Sequence, residues 1–188
     1  MAVRPEEHLS SPELRAVQVV PMRRRHLRSV IQIEAQVYPR PWTLGLFLSE
    51  LNLHPARSYF VARVGGKVVG YGGLMISMED AHVTTLAVDP IWQRHKLGQR
   101  LLVVLAREAV RLGSKNLTLE VRVSNLAAQG LYRRFGLAPA GIRKGYYLES
   151  GEDAIVMWAH GINDQAYSDR LHHLWADVPG CTLVEHPR

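Results

Sequence analysis

The sequence predicts an α/β fold in which an antiparallel meander runs into a βαβα unit, and three observations predict it. A β-branched run, Val83-Thr84-Thr85-Leu86-Ala87-Val88, stops at Asp89-Pro90, where proline has no N–H to continue a ladder. A basic loop, Gln93-Arg94-His95-Lys96, then opens a long helix at Leu97-Gly98, a helix start suited to an anion. A second strand over Asn116–Val121 carries Glu120, and the short helix after Ser124-Asn125 carries Tyr132. Together these point to a site for a phosphate-bearing cofactor beside an acid–base pair.

Composition narrows the classes. A chain of 188 residues with 47% hydrophobic and 21% charged residues fits one globular domain with a tail. No apolar run is long enough to span a bilayer, and the opening MAVRPEEHLSSPEL carries no apolar segment of signal-peptide type. The single cysteine, Cys181, leaves no intramolecular disulfide, so the cytoplasm is the expected compartment. The net charge of +6 is mostly arginine and favours polyanionic neighbours. Aromatics are not interleaved with the basic residues as in stacking platforms, so no direct nucleic-acid binding is expected.

The elements follow in order. Residues 1–14 read as a mobile leader. Ala16–Val20 is a short strand closed by Pro21. Arg23-Arg24-Arg25-His26 opens a helix with Leu27, Val30, Ile31 and Val37 on its apolar face, and its arginines read as solvated. Prolines force Tyr38-Pro39-Arg40-Pro41-Trp42 to be extended, making either a rigid aromatic wall for a peptide or a packed corner. Thr43 caps a second helix with Leu44, Phe47, Leu48 and Leu51 as its stripe. Arg57–Val64 and Lys67–Met78 form a hairpin about Gly65-Gly66, and Gly70, Gly72 and Gly73 signal a bulge or close backbone approach.

In the central unit, Leu97, Leu101, Leu105 and Ala109 recur every four residues, and Gly113 closes that helix. Ser124 or Asn125 caps the next, and Gly136 ends it. Ala138–Arg143 and Asp153–Ala159 read as a final strand pair flanking a polar loop with Tyr146, Tyr147, Glu149 and Glu152. Residues 15–161 thus form the domain, and 162–188 an extension. That extension reads as one amphipathic helix, capped by Asn163 or Asp164, plus an irregular tail with Pro179, Gly180 and Pro187.

Taken alone, the chemical signals are modest. Free N–H groups at a helix start favour a phosphate, Gly98 lets the backbone approach, and Arg94, His95, Lys96 and Arg100 add positive charge. Glu120 at a strand end reads equally as a surface carboxylate, and Tyr132 on a helix as a core aromatic. His82 reads as a residue that tunes the site or, more simply, as a strand histidine facing its neighbours. His172-His173 has no partner at metal-ligand spacing, so no metal is expected.

The order of elements resembles the GNAT superfamily of N-acetyltransferases, which use acetyl-CoA. Their pyrophosphate loop, Q/R-x-x-G-x-G/A, corresponds to Gln93-Arg94-His95-Lys96-Leu97-Gly98, with Lys96 in place of the first glycine. Within the superfamily the chain is similar to the RimI type, the ribosomal-protein-alanine N-acetyltransferases. The matching pieces are IEAQVYPRPW (Ile33 to Trp42), LAVDP (Leu86 to Pro90), LEVRVSNLAAQGLY (Leu119 to Tyr132), RRFGL, RKGYY and EDAIVM. Arg40, where the family often has an aromatic, and the C-terminal extension depart from the pattern.

The resemblance implies a mixed, mostly antiparallel sheet, flanked by helices and splayed at the coenzyme. Backbone groups of Leu86, Ala87 and Val88 would hold the pantetheine arm, with one N–H as oxyanion donor. Gln93, Arg94, His95, Lys96, Leu97, Gly98, Gln99 and Arg100 would hold the pyrophosphate, and Asn125 would bond the pantetheine. Glu120 matches the family's general base and Tyr132 its general acid and a coenzyme contact. The implied acceptor is the N-terminal alanine of a small-subunit ribosomal protein, entering past Glu34, Tyr38, Trp42, Tyr146 and Tyr147. Attack would be direct, in a ternary complex, because Cys181 is poorly placed to carry an acyl group. Two alternatives stand beside this reading: acetylation of a small-molecule amine or lysine side chain, and a non-catalytic ribosome-binding module.

Overall fold

A computed structural model describes residues 16–186; the expected leader and Pro187 lie outside the described residues. One eight-stranded sheet runs through the protein in the order β6-β7-β5-β4-β3-β2-β1-β8. Its strands are β1 (Ala16–Pro21), β2 (Arg57–Val64), β3 (Lys67–Ser77), β4 (Asp80–Val88), β5 (Asn116–Arg122), β6 (Ala138–Tyr147), β7 (Glu152–His160) and β8 (Cys181–Val184). Only β4–β5 and β1–β8 pair in parallel. The five helices are α1 (Leu27–Val37), α2 (Leu44–Leu51), α3 (Leu97–Arg111), α4 (Leu126–Arg134) and α5 (Gln165–Ala176).

The period-2 alternation of the strands divides the core between two faces. On β2, Phe60, Ala62 and Val64 join the cluster under α3 and α5, while Tyr59 and Val61 join the one under α1 and α2. The predicted stripe of α3, Leu97-Leu101-Leu105-Ala109, is fully buried. Val103, Val104 and Ala106 are buried as well, because α5 packs on α3 with Leu171 and Leu174. On α1 the buried positions are Leu27, Val30, Ile33 and Glu34, so a carboxylate joins the predicted face where Ile31 was expected. On α2 only Phe47 is buried, and Leu44 stays half exposed.

Caps and turns fall where the sequence signals them. The Thr43 hydroxyl accepts from Leu46 N, the Asn125 side chain from Ala128 N, and the Asp164 carboxylate from Tyr167 N. The expected irregular tail is corrected: Cys181–Val184 is a strand, pairing with β1 from Ala16↔Cys181 to Val19↔Val184. Four residues after Pro179-Gly180 show no periodicity of their own, and the unpaired outer edge of β1 supplies the ladder. Tyr146 and Tyr147 also lie on β6 rather than in the loop, and Tyr147 pairs with Glu152 at the start of β7.

What positions the site is the parting of β4 from β5. Their parallel pairing covers Asp80↔Asn116, Ala81↔Leu117 and His82↔Thr118 and then stops, although both strands continue. Just past that point Gly73 faces Thr85 while Leu74 faces Val83, which makes Thr84 an extra residue on β4. Such a bulge bends its strand and increases the local twist, carrying β4 away from β5. The glycines of β3 allow close packing behind it. A Cβ on Gly72 would sit 2.8 Å from Leu105 Cδ1, and one on Gly70 2.9 Å from the Ala87 carbonyl.

Candidate active site

The wedge between β4 and β5 opens into a cleft of about 680 Å³, walled by the α3 loop and α4. A second cleft of about 400 Å³ lies on the side of α1 and the end of β6. The two share Tyr38, Leu86, Glu120, Arg122, Tyr132 and Tyr147. Two separate molecules entering from opposite sides would therefore meet at Glu120 and Tyr132.

The first cleft contains most of the residues expected at a coenzyme: Leu86, Ala87, Val88, Gln93, Arg94, Lys96, Leu97, Gly98, Gln99 and Asn125. The main chain of β4 alternates along it. The Ala87 carbonyl points at Gly70 of β3, whereas the Leu86 carbonyl accepts from the Tyr38 hydroxyl (2.9 Å) and the Val88 carbonyl from Gln93 Nε2 (3.3 Å). A strand residue's N–H and C=O face the same way, so the amides of Leu86 and Val88 face the cleft and that of Ala87 faces β3. At the far end α3 begins with unsatisfied N–H groups, and the chain reaches it through Arg94 (φ 67°) and Lys96 (φ 56°) in left-handed conformations. A helix start and outward amides are what an extended, phosphate-bearing thioester needs, so the residues present fit acetyl-CoA.

Four side chains of this loop have partners of their own. The Arg100 side chain is fully buried and donates to the Pro179 carbonyl and the Thr182 hydroxyl, so its charge is spent on the extension. The Lys96 ammonium donates to the Asp177 carbonyl (2.7 Å) and pairs with its carboxylate (3.0 Å), rather than turning toward a phosphate. Gln99 lines the cleft but is buried, with Nε2 on the Leu174 carbonyl at 2.6 Å. His95 lies outside the cleft, its Nδ1 donating to the Gln93 carbonyl at 2.8 Å. Loop and extension pack together, and polar side chains at that seam satisfy buried main-chain carbonyls. Asn125 lines the cleft with its oxygen already committed to the α4 cap, which leaves its NH₂ as the available group.

At the junction, Glu120 is held on both oxygens. His82 Nε2 lies 3.0 Å from Oε2, and Arg143 3.1 Å from Oε1. The hydrogen bond from His82, more than any other influence, holds the carboxyl below the usual range, so Glu120 is ionised. His82 therefore lies at the junction beside Glu120, as the site-tuning alternative for this residue expects. No pattern in HVTTLAV signals this; the contact depends on the parallel register that sets His82 beside Thr118, on the same face as Glu120. Arg143 was equally invisible, arriving from an edge strand. Tyr132 is buried in the core cluster, and burial pushes its hydroxyl above the ordinary phenol value, leaving it protonated at neutral pH.

The second cleft brings together all five residues expected around a peptide: Glu34, Tyr38, Trp42, Tyr146 and Tyr147. Glu34 is only 2% exposed. One oxygen accepts from the Trp42 amide at 2.9 Å, fixing the Tyr38–Trp42 segment, and the other has no hydrogen-bond partner among the described residues. Burial raises its pKa to about 7. Trp42 packs against Phe47, so the aromatic corner is a packed one that also forms the cleft wall. Burial pushes Tyr147 up to about 12, and its ring carries the Arg122 guanidinium 3.7 Å from its centroid. Among the described residues no group of three or more His, Cys, Asp or Glu is placed to hold a metal ion. No described helix is long and apolar enough to cross a membrane.

Comparison with known proteins agrees with this arrangement. Residues 27–137 match the acetyltransferase (GNAT) family. The chain is 43% identical over 141 residues to a Bacillus subtilis (strain 168) protein, provisionally named a ribosomal protein bS18-alanine N-acetyltransferase, covering 73% of this chain and 91% of that one. It is 35% identical over 133 residues to the ribosomal protein bS18-alanine N-acetyltransferase of Escherichia coli (strain K12), covering 70% and 88%. The crystal structure of the Escherichia coli ribosomal-protein-S18-alanine N-acetyltransferase superposes with a TM-score of 0.70 at 32% identity, covering 77% of this chain and 94% of that one. The matched family region stops at residue 137, before α5 and β8.

Proposed function

The chain belongs to the acetyltransferase (GNAT) family, and we propose that it transfers the acetyl group of acetyl-CoA to the N-terminal α-amino group of a protein. The acceptor in this reading is the N-terminal alanine of a small-subunit ribosomal protein, and the compartment is the cytoplasm, where that protein is made. Likeness to relatives named for that substrate supports it. The observation that carries it is the meeting of two clefts at Glu120 and Tyr132, one suited to an acyl-CoA and one walled by aromatic side chains.

The roles in this reading are those the family resemblance implies, set on the geometry of the two clefts. The outward amides of Leu86 and Val88 bind the pantetheine and polarise the thioester carbonyl. The Gln93–Gly98 loop and the start of α3 receive the pyrophosphate, and the Asn125 NH₂ reaches the pantetheine. Tyr38, Trp42, Tyr146 and Tyr147 wall the peptide's path, and the free oxygen of Glu34 faces the incoming ammonium. An α-amino group has a pKa of about 7.7–8.0 and arrives largely protonated. It loses one proton to the basic centre built on Glu120 before attack; the Tyr132 hydroxyl protonates the departing thiolate, and the second nitrogen proton, released as the amide forms, restores the phenol. The C–N bond forms as the C–S bond breaks.

Direct attack needs no enzyme nucleophile. Cys181 on β8 lies four strand spacings from β4, about 19 Å across the sheet, too far to carry the acetyl group. The non-catalytic alternative requires Lys96 to obstruct the coenzyme cleft, yet its ammonium is bound to Asp177 and the cleft is open.

The test is mass spectrometry of an Ala-starting ribosomal peptide incubated with protein and acetyl-CoA. One acetyl group on the α-nitrogen is expected. An unmodified peptide, with a small amine or a lysine side chain acetylated in its place, overturns the N-terminal assignment.

A further inference from the structure

We propose that Asp177, just after α5, is a positioning residue for the coenzyme loop: it holds Lys96 in the left-handed turn where the family's loop has glycine. The proposal rests on reading Gln93–Gly98 as the coenzyme-binding loop. Lys96 is the N-cap of α3 at φ 56° and ψ 20°, a conformation that costs an L-residue with a Cβ. The turn sets the direction of the amides at the helix start, since the Lys96 carbonyl accepts the first helical bond, from Arg100 N at 3.0 Å.

The segment around Asp177 is built to oppose that strain. Lys96 Nζ donates to the Asp177 carbonyl at 2.7 Å and pairs with Oδ2 at 3.0 Å. Arg134 reaches the same oxygen at 2.6 Å and Gln99 Oε1 at 2.9 Å, and Gln99 Nε2 in turn donates to the Leu174 carbonyl at 2.6 Å. Lys96, Gln99 and Arg134 all line the coenzyme cleft and all converge on the C-terminal end of α5. A lone exposed ion pair contributes little, but here two cations share one carboxylate while Gln99 takes a carbonyl at the negative end of the same helix. The pair of cations, Lys96 first, holds the Asp177 carboxyl down at about 2, so it is charged at any working pH.

Asp177 is itself anchored on both sides. Upstream, Leu174 is buried and its carbonyl is taken by Gln99. Downstream, the buried Arg100 guanidinium grips the Pro179 carbonyl and the Thr182 hydroxyl of β8. The extension is thus a fixed post to which the loop is tied, which assigns a purpose to a segment beyond the matched family region.

The full-length chain tests this through Asp177→Ala and the double variant Asp177→Ala with Lys96→Gly. Amide hydrogen exchange of Arg100, whose N–H bonds the Lys96 carbonyl, reads the tie itself in the absence of coenzyme. It is expected to quicken in Asp177→Ala and to return to the wild-type rate in the double variant, because glycine adopts the left-handed turn without strain. The dissociation constant for coenzyme A by calorimetry, and KM for acetyl-CoA, rise about fivefold to tenfold in Asp177→Ala and recover in the double variant. Saturated kcat and KM for the peptide stay within about twofold. Asp177→Asn, which keeps the volume and the carbonyl acceptor, gives a smaller change of the same sign. Unchanged exchange of the Arg100 amide in Asp177→Ala overturns the proposal. So does a double variant that binds coenzyme A more weakly than the single one, since Lys96 would then act by its charge. If exchange responds as stated while the wild type binds no coenzyme A, the tie stands and the coenzyme reading of the loop falls.

Discussion

His82 Nε2 lies 3.0 Å from Glu120 Oε2, joining a histidine of β4 to a carboxylate of β5 where the two strands part. In the proposed mechanism the basic centre is therefore this pair, with Arg143 on the second oxygen of Glu120. Glu120→Gln is expected to lower kcat about 10²- to 10³-fold, with KM for acetyl-CoA little changed. His82→Gln, which leaves the carboxylate in place, lowers kcat less. Steady-state kinetics of the two variants checks the order.

The same pair has a pH signature in stability. The Glu120 carboxyl is depressed below its ordinary value of 4.5, so its pairing contributes stability above about pH 4.5 and loses it as pH falls through the lower folded value. The stability difference between wild type and Glu120→Gln, followed by urea unfolding, should shrink across that acidic window.

Glu34 has the opposite sign. Its folded pKa of about 7 lies above the ordinary 4.5, so the native state holds a proton that the unfolded chain has released. Wild-type stability should fall as pH rises from about 4.5 to 7, and Glu34→Gln should remove that decline. Urea unfolding at pH 5 and pH 8 suffices to see it.

Tyr132→Phe removes one hydroxyl and leaves the ring in the core. Its melting temperature should move little, while kcat drops about 10²-fold through loss of the proton donor. A variant that melts normally and turns over at the wild-type rate would exclude Tyr132 as the acid.

Arg100→Met exchanges a buried guanidinium for an apolar chain of similar length. The Pro179 carbonyl and Thr182 hydroxyl lose their donor, at a cost of about 1.5–3 kcal/mol. The loss should concentrate at β8, whose amides exchange faster while those of β3 and β4 keep their protection.

Much of this molecule is local and could be read along the chain. The caps at Thr43, Asn125 and Asp164, the Gly65-Gly66 hairpin and the α3 stripe depend on neighbours a few residues away. Glu120 and Tyr132 were legible because the resemblance carried them, and Glu34, Tyr38, Trp42, Tyr146 and Tyr147 do share one cleft. The partners of the Lys96, Gln99 and Arg100 side chains were not legible for one reason. Their partners, Asp177, Leu174, Pro179 and Thr182, are more than seventy residues away in the chain. A cation beside a phosphate loop reads as a phosphate ligand until a distant carbonyl is seen to take it.

The sequence by itself determined the alternation of elements and the anion-suited start of α3, because period and capping are properties of consecutive residues; the two residues at the junction came from the family resemblance. Only the tertiary structure decided that β4 and β5 part after His82, that His82 and Arg143 grip Glu120, and that Cys181–Val184 closes the sheet edge. Strand register and buried polar pairing depend on which chain segments become neighbours. Burying the apolar faces settles that, and no window of sequence contains both partners.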